Sequence, residues 1–155
     1  MKASRQRSRL RPSVVLLALL TTVIPLSAIS QSPARVQVVV SGLRNDKGQV
    51  SCALFRSADG FPKDAKKAVA HQEVRIAGAQ ATCNFEDVPP GQYAVAVFHD
   101  ENGNGKMDTN FVGMPREGVG ASRNPKTRMG PPKFPDAAFT VASSPVDLQI
   151  VVHYL

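Results

Sequence analysis

Short runs of alternating or continuous apolar residues, separated by turn residues, recur from residue 36 to the end of the chain. Residues 36–43 and 49–55 are rich in β-branched and alternating apolar side chains, and the turn residues between them predict a hairpin. Five further strands are predicted at residues 73–76, 81–85, 93–98, 137–141 and 146–154. Seven strands without a substantial helix predict an all-β fold, a seven-stranded antiparallel Greek-key sandwich of the immunoglobulin-like or transthyretin-like type.

The sequence Val88-Pro-Pro-Gly-Gln-Tyr93 marks a corner between two of these strands. Its prolines end the preceding strand, and Gly91 permits a sharp change of direction. Tyr93 then begins a strand, where its hydroxyl can reach the backbone, as in the tyrosine corner of antiparallel sandwiches. Because residues 93–98 are almost entirely apolar, this strand is predicted to be central and buried on both faces.

Residues 109–135 form a long segment that is rich in Gly and Pro and lacks any regular period. Apolar residues are interspersed within it: Phe111, Val112, Met114, Met129 and Phe134. A loop of this length in a compact domain is usually functional or disordered. Because the apolar side chains can anchor it, we expect one long ordered loop that packs onto the body of the domain.

The N-terminus has the pattern of a secretory signal peptide. Five Lys and Arg residues precede an apolar run at residues 14–26, and Ala28-Ile-Ser30 supplies the small residues that a signal peptidase recognises. We expect the general secretory route to remove residues 1–30, which leaves a single domain at residues 31–155 in the periplasm or outside the cell. The apolar run is shorter than the roughly 20 residues of a membrane span, so no span is expected after cleavage.

The strongly basic charge of the chain lies mostly in this leader. The formal net charge is +7, yet five of the 19 basic residues and none of the 12 acidic residues fall within residues 1–30, so residues 31–155 carry a net charge of +2. A nucleic-acid-binding protein would need a basic patch on its folded domain. We therefore expect no nucleic-acid partner.

Cys52 and Cys83 are the two cysteines, and an oxidising compartment permits them to pair. The disulfide would close a loop of about 32 residues and contribute roughly 3–4 kcal/mol to stability in the chain-entropy model. Two buried free thiols on neighbouring strands are the alternative.

The sharpest chemical pattern follows the predicted central strand, in the sequence His99-Asp-Glu-Asn-Gly-Asn-Gly-Lys-Met-Asp108. Oxygen-bearing side chains at every second position, followed by a glycine, form the spacing with which a chain surrounds Ca²⁺. The predicted ligands are Asp100, Asn102, Asn104, the carbonyl of Lys106, and Asp108. Phe111 stands where a helical calcium loop has its bidentate acid, so we expect a weak site with a dissociation constant of roughly 10⁻⁴–10⁻³ M. A tight polar turn without metal is the alternative.

His99 and Glu117 flank this loop and suggest two further hypotheses. They can belong to a binding surface or, with Asp100 and Ser122, to the active site of a small hydrolase. No hydrolase, zinc-protease or redox motif accompanies them. We therefore assign no catalytic residue, and we expect His99 to have a packing role and Glu117 to form an ion pair or to lie on the surface.

Four segments of the chain, in this order, resemble a bacterial family of exported proteins, the domain-of-unknown-function family 2141. These segments are residues 88–93, 98–108, 113–118 and 130–139. The resemblance covers roughly residues 35–155, and its most specific part runs from His99 to Glu117. It implies a small periplasmic or secreted protein, and it brings no catalytic residue with it.

Together these features predict a non-catalytic binding or accessory module of the cell envelope, stabilised by a calcium-type loop. Its 99–135 surface is expected to meet an unknown protein or small ligand. A small hydrolase centred on His99 and Glu117 is one alternative, and a purely structural envelope protein is the other.

Overall fold

The computed structural model describes residues 33–126 and 130–155, and strands dominate them. The strands are β1 (Ala34–Ser41), β2 (Gln49–Phe55), β3 (Ala70–Arg75), β4 (Ala81–Val88), β5 (Gly91–Asp100), β6 (Val119–Ala121), β7 (Phe139–Val141) and β8 (Val146–Val151). Helical structure in these residues is limited to a 3-10 turn at Ala65–Lys67 and one α-helical turn, α1, at Phe134–Ala137. The prediction of a mostly β protein is confirmed, although the described residues form eight strands where seven were predicted.

The strands form two sheets. One has the order β4-β1-β8, and the other has the order β3-β2-β5-β6 with β7 also paired to β5. β1 and β8 run parallel, so the prediction of a wholly antiparallel fold is wrong at this pair. β1 and β2 belong to different sheets, so the predicted hairpin between them is wrong as well.

One hydrophobic core joins the two sheets. Every second side chain of β1 is buried, and these side chains face the buried side chains of β2 and β5 from the other sheet. Fully burying a Val, Leu or Ile side chain stabilises a protein by about 1.5–3 kcal/mol. The core therefore holds the sheets together; its fully buried aliphatic residues include Val36, Val38, Val40, Val50, Val95 and Ile150.

A disulfide crosses this core between Cys52 of β2 and Cys83 of β4. Both side chains are completely buried. Because β2 and β4 lie in opposite sheets, the bond ties one sheet to the other. The predicted disulfide is confirmed, and the alternative of two free thiols is wrong.

β5 is buried along both faces, as its apolar sequence predicted. Its inner face belongs to the core, and its outer face is covered by the rings of Phe61 and Phe134. At its start, the hydroxyl of Tyr93 donates a hydrogen bond to the carbonyl oxygen of Pro89 at 2.9 Å. This contact is the expected tyrosine corner, and it fixes where β5 begins.

The long Gly- and Pro-rich segment packs onto the body only in part. Phe134 stacks edge-on against Phe61, as an anchor should. Phe111 is 100% exposed, and Val112 and Met114 are 62% and 46% exposed. These three residues are therefore not the anchors that the sequence suggested. Met129, which was also expected to anchor the loop, lies outside the described residues.

The predicted signal peptide also lies outside the described residues. Across residues 33–126 and 130–155, none of the helical segments has the length and apolarity that crossing a bilayer requires.

Candidate functional site

Several chain segments meet at one end of the two-sheet body, which we call the loop end. Ser41, at the end of β1, pairs with Val151, at the end of β8. Asp100, at the end of β5, pairs with Gln49, at the start of β2. The residues that follow β1, β5 and β8 therefore project from the same end of the molecule.

Asp100 is fully buried and organises the loop that follows it. Its carboxylate accepts hydrogen bonds from the backbone N–H of Asn104 at 3.1 Å and of Gly105 at 2.8 Å, and from the side-chain amide of Gln49 at 3.2 Å. Gly48 makes this close packing possible, because a Cβ there would lie 1.9 Å from the carbonyl oxygen of Asp100. The loop thus folds back on its first residue and forms a tight turn.

Asp108 closes the loop from the other side. The side-chain amides of Asn102 and Asn104 donate to its carboxylate at 2.7 and 3.3 Å. Their amide oxygens accept the backbone N–H of Asn104 and of Lys106 at 3.1 and 2.7 Å. The structure thus brings the side chains of Asn102, Asn104 and Asp108 into direct contact and places the buried Asp100 against the same turn.

This set of oxygens fits the chemistry of a hard cation, because carboxylate and amide oxygens each carry more than one lone pair. The hydrogen bonds therefore leave acceptor capacity at Asp100 and Asp108. Within the described ranges, no group of three or more His, Cys, Asp or Glu side chains is placed to hold a metal. A bound Ca²⁺ would consequently depend on the amide oxygens and on the carbonyl of Lys106 as well as on the two carboxylates.

Glu117 joins the two ends of this loop. Its side chain is 4% exposed, and its two oxygens accept the backbone N–H of Glu101 and of Asp108, each at 3.0 Å. Hydrogen bonds to an ionised acceptor are the stronger kind. The next residue, Gly118, lets the chain pass beneath Tyr154, since a Cβ there would lie 2.6 Å from the ring. Glu117 is therefore a buried clamp on the base of the loop.

His99 is fully buried, and both of its ring nitrogens have partners. Nε2 lies 2.7 Å from the carbonyl oxygen of Lys47, which can only accept, so Nε2 carries the hydrogen. Nδ1 lies 2.6 Å from the hydroxyl of Tyr154, which in turn accepts the backbone N–H of Arg44 at 3.0 Å. His99 thus connects the segments that follow β1 and β8 to β5.

Arg44 and Glu101 form a bidentate ion pair beside this histidine. The guanidinium donates to the two carboxylate oxygens at 2.5 and 2.7 Å, and it lies 4.5 Å from the centre of the Tyr154 ring. The hydrogen bond from Arg44 lowers the pKa of Glu101 below its usual value, against the opposing effect of burial. The same hydrogen bond raises the pKa of Arg44. Glu101 is therefore ionised at neutral pH. Its pairing with Arg44 holds the loop that follows β5 against the segment between β1 and β2.

An open cleft of about 310 Å³ lies between these loops. It is lined by Arg44, Glu101, Asn102, Asp108, Arg116 and Glu117. Its volume is near the lower limit of the range of roughly 300–1,000 Å³ for small-molecule sites. Since every lining residue is polar and both signs of charge are present, the cleft suits a polar or charged ligand.

The residues suggested for a hydrolase do not come together as a catalytic group. Ser122 is fully buried; its hydroxyl donates to the carbonyl oxygen of Ala137 at 2.6 Å and accepts the backbone N–H of Val95 at 3.0 Å. It lies beside the middle of β5, whereas His99 lies at the end of that strand. His99 and Glu117 are also buried, and both satisfy polar groups inside the loop end, while Glu117 also lines the cleft.

Sequence reasoning missed the parts of the site that come from distant segments. Arg44 is 57 residues from Glu101 and 110 residues from Tyr154. The inward position of Tyr154 could have been inferred, because it continues the alternation of Ile150 and Val152. The pairing of Arg44 with Glu101 requires the knowledge that β1 and β5 end on the same side, and the local pattern does not contain that information.

These features define a small β protein of two disulfide-linked sheets, with a polar cleft built by loops at one end. A family model described as "Uncharacterized protein conserved in bacteria (DUF2141)" matches residues 38–149. The chain belongs to this family, as the resemblance of its sequence indicated. No curated protein and no solved structure matches the chain.

Proposed function

We propose that this protein is a non-catalytic binding or accessory module of the bacterial cell envelope, and that the cleft at its loop end receives a polar ligand or partner. One observation carries the proposal. The buried polar side chains of the loop end are hydrogen-bonded to backbone groups, whereas Arg44, Asn102 and Arg116 are exposed around the cleft. A rim carried on a hydrogen-bonded backbone favours binding, because little backbone flexibility is lost when the ligand arrives.

The engagement of His99 and Glu117 favours binding over hydrolysis. General acid–base catalysis requires a titratable group within hydrogen-bond reach of the substrate. Both ring nitrogens of His99 are used by Lys47 and Tyr154, and both carboxylate oxygens of Glu117 are used by backbone N–H groups. A substrate in the cleft would therefore find His99 and Glu117 already engaged by groups of the protein.

The proposal includes three expectations from the sequence. The first is export with removal of residues 1–30, and the second is a Greek-key sandwich of immunoglobulin-like or transthyretin-like type. The third is weak Ca²⁺ binding at Asp100, Asn102, Asn104, Lys106 and Asp108. The contacts of Asn104 with both Asp100 and Asp108 support the third, because they place the two carboxylates on the same turn, which a bound cation would fix beside the cleft.

Titration of charge variants tests the binding role. Protein recovered from the periplasmic fraction is screened by thermal shift against cell-wall fragments, short charged peptides and small polyanions. Any compound that raises the melting midpoint is then titrated against Arg116→Ala and against Lys63→Ala, a charge removal at the opposite end of the body. Loss of one hydrogen bond to a charged group weakens binding about tenfold or more, so we expect that loss in Arg116→Ala alone.

Three results would contradict the proposal. Equal affinity in both variants would show that the ligand does not use the cleft. Chemical change of the bound compound during incubation, absent in His99→Ala, would favour the hydrolase alternative. A screen in which no compound shifts the midpoint would favour a purely structural envelope protein.

A further inference from the structure

An exposed apolar tip projects from the loop end, next to the cleft. The chain from Asp108 to Arg116 doubles back as a hairpin, in which the backbone N–H of Arg116 donates to the carbonyl oxygen of Asp108 at 2.9 Å. At its turn, Phe111 is 100% exposed, Val112 is 62% exposed and Met114 is 46% exposed. These three residues are called the apolar tip. Contiguous apolar side chains in solvent commonly mark a protein or membrane contact.

Hydrogen bonds within the turn order the apolar tip. The side-chain oxygen of Asn110 accepts the backbone N–H of Val112 and of Met114, both at 3.0 Å. The backbone of Asn110 pairs with the carbonyl oxygen of Met114 at 2.8 Å and with the N–H of Gly113 at 2.9 Å. Amide groups that already have partners resist transfer out of water far less than unpaired ones do. The apolar tip can therefore enter an apolar medium without exposing these donors to it.

The exposed charges of the chain from Gly105 to Arg116 are positive, and the exposed carboxylate of Glu73 in β3 lies near Gly105. Lys106 and Arg116 are exposed on the two approaches to the hairpin. The nearby Asp108 is half-buried and accepts hydrogen bonds from Asn102 and Asn104. Apolar side chains with a cationic border complement a surface that has anionic headgroups above hydrocarbon.

The size of the apolar tip favours a lipid surface over a protein pocket. Three side chains of this kind offer on the order of a few hundred Å² of apolar surface. A stable protein interface takes about 800 Å² from each partner. A small convex tip is suited to shallow insertion among headgroups, which requires no matching pocket.

We infer that the apolar tip inserts into the headgroup region of an anionic phospholipid surface, with Lys106 and Arg116 against the phosphates. This inference rests on the proposed binding role of the loop end and names the lipid surface as its partner. It attaches the protein reversibly at the membrane and orients the cleft toward the lipid.

Vesicle co-sedimentation tests the inference. Exported protein, with its N-terminus established by mass, is mixed with vesicles of phosphatidylcholine or of phosphatidylcholine and phosphatidylglycerol, at low and high salt. The test variant is Phe111→Ser/Met114→Ser, and Val69→Ser is its matched control, since Val69 is 57% exposed near the opposite end of the body. Lys106→Gln tests the charge.

The wild type is expected to bind the anionic vesicles about tenfold more strongly than the neutral ones, and high salt should weaken that binding. Phe111→Ser/Met114→Ser should lose about tenfold or more, Lys106→Gln should lose severalfold, and Val69→Ser should match the wild type. Each variant should keep the wild-type melting midpoint, because the altered side chains contact little of the body.

Equal sedimentation of the wild type and Phe111→Ser/Met114→Ser would overturn the inference, as would a wild type that binds neither vesicle. Another outcome would be a wild type that does not bind vesicles and instead cross-links to an envelope protein that Phe111→Ser/Met114→Ser does not cross-link to. In that case the apolar tip is a protein contact and the lipid assignment is wrong. Failure here leaves the Arg116→Ala ligand test untouched, so the two proposals fail separately.

Discussion

Glu117→Ala is expected to destabilise the protein although the residue lies in a loop. The substitution leaves the backbone N–H groups of Glu101 and Asp108 without their acceptor, and each of these hydrogen bonds is 3.0 Å long. A hydrogen bond to a charged group contributes about 1.5–3 kcal/mol, so the two together contribute roughly 3–6 kcal/mol. Because water can reach the partly buried N–H groups once the side chain is gone, we expect a loss near the lower limit, about 3 kcal/mol.

Urea unfolding at neutral pH measures this loss, and thermal unfolding should show a midpoint lowered by roughly 10 °C. Glu117→Gln keeps an acceptor for one N–H group and should lose about half as much. Glu86→Ala, at an exposed glutamate, is the matched control and should change stability by about 0.5 kcal/mol or less. Hydrogen exchange should accelerate at Glu101 and Asp108 in Glu117→Ala. A loss no larger than that of the control, with unchanged exchange, would refute the clamp.

Three further predictions follow from the same contacts. Replacing Cys52 and Cys83 by alanine should lower the free energy of unfolding by roughly 3–4 kcal/mol, and an unchanged urea midpoint would contradict this. Because Arg44 lowers the pKa of Glu101, their pair stabilises the fold above the unfolded-state pKa, and this stability is lost as pH falls through the lowered pKa. Arg44→Gln should therefore be less stable than the wild type at pH 7 by urea unfolding, and a gap that does not shrink on acidification would contradict the assignment. At about 1 mM Ca²⁺ and a dissociation constant of about 0.1 mM, Ca²⁺ binding should raise the free energy of unfolding by roughly 1.4 kcal/mol. An equal melting midpoint in Ca²⁺ and in chelator, or the same gain in Asp108→Asn, would exclude the site.

The strands could be predicted from local pattern, whereas several of their partners could not. The alternation of β1 correctly indicates which side chains face the core. It does not indicate whether the neighbouring strand is β2 or the much later β8, because both choices bury the same valines. A short turn between β1 and β2 favours a hairpin locally, yet in the structure this connection passes from one sheet to the other. Strand pairing is a non-local choice, and it decides the fold here.

The site divides in the same way. The spacing from Asp100 to Asp108 is local, and it predicted side chains that the structure places in one turn. Glu117 can act as a clamp only because the chain returns to Glu101. No rule of residue spacing predicts that return. The sequence likewise does not indicate whether an apolar loop residue faces the body or the solvent. Phe111 could therefore be expected to anchor the loop, and yet it points into solvent.

Glu117 stabilises the loop end and also fixes the two surfaces that the loop end exposes, the cleft and the apolar tip. Its carboxylate holds Asp108, the first residue of the hairpin that carries the apolar tip, and Glu101, which pairs with Arg44 beside the cleft. Loss of the clamp should therefore loosen the cleft and the hairpin together. Phe111→Ser/Met114→Ser should change only the surface of the apolar tip. If both variants lose vesicle binding and only Glu117→Ala also accelerates amide exchange, positioning and contact are separate roles of neighbouring residues. If Glu117→Ala binds vesicles as the wild type does, the apolar tip needs no fixed base, and its own hydrogen bonds through Asn110 are sufficient to present it.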